Sequence, residues 1–197
     1  MKKLFLGAAI AVSSLTFAQQ FGAKAGLNVS NLSADNNVDT NTKTGFYAGL
    51  LMNAPIAEDF SIQPEVLYNS VGAKYDYGTL GSRTLTLDYI TVPVMFQYNL
   101  VPQFYLEAGP EFGFLVNAKS KLESGSLSGT QELNKDNFNA FNFGVGLGAG
   151  FNITNNIGVT ARYVAGFTDA TDESNQEFGS NANNKNNVFQ AGLAFKF

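Results

Sequence analysis

Strict alternation of side-chain type, sustained for a dozen residues at a time with glycine opposite the large hydrophobes, limits this chain to very few architectures. In 141–153, FNFGVGLGAGFNI, one face carries Phe141, Phe143, Val145, Leu147, Ala149, Phe151 and Ile153. The other carries Asn142, Gly144, Gly146, Gly148, Gly150 and Asn152. A period of two is the signature of a β-strand. Residues 104–116 repeat it, with Phe104, Leu106, Ala108, Pro110, Phe112, Phe114 and Val116 against Tyr105, Glu107, Gly109, Glu111, Gly113 and Leu115. Such strands recur at about 21–32, 44–53, 60–69, 84–98, 104–117, 139–153, 157–168 and 187–197.

Eight alternating strands close in two ways. A soluble barrel puts its large apolar residues inside. A membrane barrel inverts the pattern, with lipid outside and a polar lumen. A face built from glycine cannot fill a hydrophobic interior, so the apolar face is the outer one. The expected fold is all-β: an eight-stranded antiparallel up-and-down transmembrane β-barrel with a polar lumen.

Connection lengths agree. They are long at 33–43, 70–83, 118–138 and 169–186, and short at 54–59, 99–103 and 154–156. External loops alternate with tight periplasmic turns in outer-membrane barrels, and an even strand number puts both termini in the periplasm. Outward aromatics fall into two girdles, as amphipathic rings prefer at membrane interfaces. Phe21, Phe60, Tyr98, Phe104, Phe151 and Phe197 mark the periplasmic level; Phe46, Tyr68, Phe114, Phe141, Phe167 and Phe189 mark the other. Two features strain the pattern. Pro64, Pro93 and Pro110 fall inside strands, where proline removes a ladder donor and implies a bulge or strand end. Leu85 and Leu87 take inward parity while Asp88 points outward, so 83–88 either projects above the bilayer or contains a bulge.

Residues 1–18, MKKLFLGAAIAVSSLTFA, read as a cleaved signal peptide: Lys2 and Lys3, a short apolar run, then Thr16 and Ala18 before the cut. Residues 19–197 are then the barrel domain, exported to the outer membrane of a Gram-negative-type bacterium. The chain has no histidine, no cysteine and a formal net charge of −4. The commonest general base, thiol nucleophiles and zinc thiolate sites are therefore absent, and so is the basic face a nucleic-acid binder needs. No catalytic, cofactor or metal site is expected, and no enzyme activity. The acidic stretch 169–186 reads as a solvated loop, because its spacing departs from a calcium loop.

Lys24, Glu65, Glu107, Glu111, Arg162 and Lys196 face inward. Eight strands leave room for side chains but no wide pore, and an unpaired charge there costs several kcal/mol. A lumenal charge network that closes the barrel is expected, with a conducting or gated path as the alternative. The inward glycines 144, 146, 148 and 150 lack the following helix and Lys-Ser/Thr of a phosphate loop. They make room instead for bulky inward neighbours such as Tyr105 and Tyr47. The terminal AGLAFKF, with Phe189, Phe195 and Phe197 alternating, resembles the C-terminal signal read by the outer-membrane insertion machinery. That machinery and outer-membrane lipid are the expected partners.

Several segments together resemble the PorT-like outer-membrane β-barrel family of Bacteroidota. They are GAKAGLNVSNL at 22–32, KTGFYAGLLMNAPI at 43–56, SIQPEVLYNSVGAKY at 61–75 and DYITVPVMFQY at 88–98. FYLEAGPEFGFLVNAKS at 104–120, FGVGLGAGF at 143–151 and ARYVAGFTD at 161–169 complete the set. The embedded prolines belong to that pattern. The resemblance implies a small barrel in the outer membrane with a structural or protein-interaction role, external loops as binding surface, and an envelope or secretion protein as partner. A small passive or gated pore is the alternative.

Overall fold

A computed structural model describes residues 19–33, 40–76, 81–124, 127–133, 138–169 and 185–197. The expected signal peptide and most of the acidic 169–186 stretch lie outside the described residues. The strands are β1 (Gln20–Ser33), β2 (Thr40–Pro55), β3 (Phe60–Asp76), β4 (Ser82–Val101), β5 (Phe104–Ser124), β6 (Leu127–Glu132), β7 (Phe141–Asn152), β8 (Ile157–Asp169) and β9 (Lys185–Lys196). Neighbours pair antiparallel in the order β1-β2-β3-β4-β5-β7-β8-β9, and β9 returns to β1 to close the ring. These are the eight strands expected from the alternation, joined up and down. Closure leaves no unpaired edge in the ring.

The burial pattern is inside-out. Leu147 is 67% exposed and Leu27 63%, whereas Arg162 is 1% exposed and Lys24 2%. Large apolar side chains form the outer surface and charged ones the interior, which only a lipid surround makes favourable. The aromatic belts form across adjacent strands. Phe46 stacks on Tyr68 at 5.7 Å and Phe114 on Phe141 at 5.7 Å toward the long-loop end. Phe60 meets Tyr98 at 4.8 Å near the short turns.

Three details depart from the sequence reading. The connection expected over 118–138 is largely strand: β5 runs on to Ser124, and β6 pairs back along Lys119–Ser124 as a hairpin outside the ring. Its serines, glycines and lysines carry none of the outward apolar residues by which the membrane strands are recognised. Second, the ladders run in step past all three prolines, with Pro64 opposite Val94, Pro93 opposite Glu111 and Pro110 opposite Val145. Each proline forgoes its own donor and shifts nothing. Third, the irregularity near 83–88 is a bulge on the partner strand. Asp88 pairs with Asn117 and Tyr89 with Leu115, leaving Val116 as the extra residue of β5.

That bulge turns Ala118 and Ser120 inward. Beyond it the patterning reverses: Val71, Ala73, Leu85, Leu87, Tyr89, Ala118, Phe138, Val164 and Val188 form an apolar core inside the long-loop end of the barrel. Lys119 and Lys121 take the outer face there. Inward leucines mark the height at which the wall stops facing lipid and begins to fold like a soluble barrel.

Candidate functional site: the charged lumen

Strand register decides which inward residues meet. Glu107 of β5 lies beside Gly148 of β7, and Gly148 lies beside Arg162 of β8. Because Gly148 has no side chain, Arg162 reaches over it, and its Nε donates to Glu107 Oε1 at 2.8 Å. The other edge of the guanidinium forks onto Glu65: Nη1 donates to Oε2 at 2.9 Å and Nη2 to Oε1 at 2.8 Å. β3 and β8 stand opposite each other in the ring, so this fork spans the lumen. Lys24 Nζ joins at 3.4 Å from Glu65 Oε1. All four side chains are at most 1% exposed.

Amides complete the site. Gln63 Nε2 donates to Glu65 Oε1 at 2.8 Å, and Gln97 Nε2 to Glu107 Oε2 at 3.0 Å. On the short-turn side Asn53 Nδ2 donates to Gln97 Oε1 at 2.8 Å. Toward the long loops, Asn69 Oδ1 accepts from Asn28 Nδ2 at 3.0 Å and from Gln190 Nε2 at 3.2 Å. The lumen is therefore stacked as an amide layer, a charged layer, a second amide layer and the apolar core. Two cations against two carboxylates leave the charged layer neutral. Bidentate Arg–carboxylate geometry with additional hydrogen bonds is what allows buried charges to be tolerated.

Of the six ionisable residues expected inward, Lys24, Glu65, Glu107 and Arg162 come together; two stand apart. Glu111 is buried two inward rows nearer the long loops, past Gly109, at 8% exposure. Lys196 is half-buried at the short-turn mouth, lining an open recess with Gln20, Gln103, Asn152 and Asn155. Parity gives the face a residue takes but not its height along the axis. Asn53, Gln63, Asn69, Gln97 and Gln190 are uncharged and so do not stand out in the sequence as the ionisable residues do; the same parity places them inward. Phe189, Phe195 and Phe197 lie on the outer surface at 50%, 46% and 71% exposure.

Of the inward glycines 144, 146, 148 and 150, Gly150 alone makes space for a tyrosine; the others face Val164, Met95, Arg162, Glu107 and backbone atoms. A Cβ at Gly150 would run into the Tyr105 ring. Tyr47 instead packs over Gly26 and Gly192, where a Cβ would lie 2.8 Å from its Cε1 and 2.5 Å from its Oη. Gly150→Ala is expected to destabilise the barrel by about 1–3 kcal/mol through overpacking, and adding Tyr105→Leu should recover most of it. Urea titration of the heat-modifiable gel band measures both.

A closed antiparallel ring with an apolar aromatic-belted exterior and a polar packed lumen defines a transmembrane β-barrel. The chain belongs to the outer membrane protein beta-barrel domain family, whose model matches residues 17–172. Among solved structures it is similar to Ail, the attachment invasion locus protein of Yersinia pestis, at 14% identity and a TM-score of 0.54 over 92% of this chain and 100% of Ail. It is similar to Neisserial surface protein A at 16% identity and 0.55, over 92% of this chain and 100% of that one. No curated protein sequence matches the chain. The protein is an integral outer-membrane β-barrel.

Proposed function

We propose that this barrel is plugged, and that it serves as a membrane-embedded structural or protein-interaction protein working through its external end. The observation that carries the reading is the Arg162–Glu65 fork, which crosses the lumen with its partners shut off from solvent. Lys24, Glu65, Glu107 and Arg162 act as the plug, with Glu111 and Lys196 flanking it. Signalling, adhesion or secretion contacts then fall to the long-loop end, where β5 and β6 extend the wall. The PorT-like motifs support a place in that branch of outer-membrane barrels and an envelope or secretion protein as partner. The lipid-facing series Phe189, Phe195 and Phe197 supports recognition by the insertion machinery. No residue is assigned a catalytic role.

Planar-bilayer recording of refolded protein, restricted to material showing the gel shift of a folded barrel, tests the plug. Electrical silence is the expected result. Reproducible steps that change in Arg162→Gln or Glu107→Gln would establish the gated pore instead.

A further inference from the structure

We propose that the lumen holds a binding site for one small monovalent cation of the sodium class, built around Glu111. The charged layer below it is self-neutral, and every arm of the Arg162 guanidinium there is committed: Nε to Glu107, Nη1 and Nη2 to Glu65. Glu111 is a further buried ionisable side chain, outside that layer. It is 8% exposed, and among the described residues its Oε2 has no hydrogen-bond partner.

Register explains the difference between the two glutamates. From Glu107 the row continues through Gly148 to Arg162, which supplies a guanidinium. From Glu111 it continues through Gly144 to Gly166, which supply no side chain at all. In place of a cationic partner there is a cavity of about 20 Å³. One water-sized particle needs ~10–15 Å³, so a single small ion fits.

Polar side chains and three valines share the wall of the cavity. Tyr89, Asn142 and Asn186 line it together with Glu111, whereas Asn69 Oδ1 and Thr91 Oγ1, also in the lining, already accept hydrogen bonds, the first from Asn28 and Gln190 and the second from Asn69. Among the described residues Asn186 Oδ1, Tyr89 Oη and Asn142 Nδ2 are buried without hydrogen-bond partners, and turning over the Asn142 amide would present its oxygen in place of the nitrogen. Hard oxygen donors suit alkali and alkaline-earth cations, but calcium sites use several charged ligands. Among the described residues no three His, Cys, Asp or Glu converge. One carboxylate among neutral oxygens balances one positive charge. Val71, Val164 and Val188 close the site on the side of the apolar core.

Two measurements on the full barrel decide it. Crystals grown with thallium(I) in place of sodium are expected to show one anomalous peak between Glu111 and Asn186, lost in Glu111→Gln. In solution, sodium chloride is compared with choline chloride at equal ionic strength. Sodium at tenfold its dissociation constant raises the folding equilibrium constant about elevenfold in the wild type, and this increment vanishes in Glu111→Gln. An ordered water with no anomalous signal, a peak that survives in Glu111→Gln, or equal stability in sodium and choline overturns the proposal. The wild-type comparison stands alone should the variant not fold.

Discussion

Arg162→Met is expected to cost the folded barrel about 3–5 kcal/mol, the range for removing one partner of a buried ion pair. The loss arises less from the missing attraction than from what remains. Glu65 and Glu107 are left in a closed lumen, where among the described residues Glu65 keeps Lys24 at 3.4 Å and Glu107 keeps the Gln97 amide as its hydrogen-bond donor. Adding Glu107→Gln removes the surplus charge and leaves one Lys24–Glu65 pair, so the double variant should regain more than half of the loss. Urea midpoints of the gel-shifted form in detergent micelles measure both proteins. A single variant within about 0.5 kcal/mol of wild type, the scatter of ordinary surface changes, would mean the fork does not hold the barrel together.

The two halves of this architecture differ in how far a sequence exposes them. Strand number and the identity of the lipid face follow from alternation, and the up-and-down order from connection lengths, because the outward residues of Phe141–Phe151 and Phe104–Phe114 are apolar throughout. The signal depends on lipid. Past Val116 the wall faces water, its apolar side turns inward at Leu85 and Leu87, and the extension through β6 reads as loop. The site is legible to the same degree. Parity picks out the inward residues, but their heights depend on how far each strand is staggered against the next. Glu107 and Glu111 are alike in sequence, both inward on β5 and four residues apart. Only the register, which carries Gly148 on to Arg162 and Gly144 on to Gly166, separates an ion pair from a lone carboxylate.

Leu147→Arg tests the inversion itself. Leu147 is 67% exposed and lies near the middle of β7 between Phe141 and Phe151, one in each aromatic belt. That position places it near the bilayer midplane, where an arginine on the outer wall of a barrel costs about 2–4 kcal/mol. Ser128→Arg, on the exposed β6 beyond the belts and opposite Glu123, is expected to stay within about 0.5 kcal/mol of wild type, as surface substitutions do. Both positions are open to the surroundings, so accessibility does not distinguish them; the medium does. If water bathed both, two exposed arginines would be tolerated alike. Refolding each variant into lipid vesicles and titrating with urea should separate their midpoints, and coincident midpoints would mean that the apolar face of this barrel does not meet hydrocarbon.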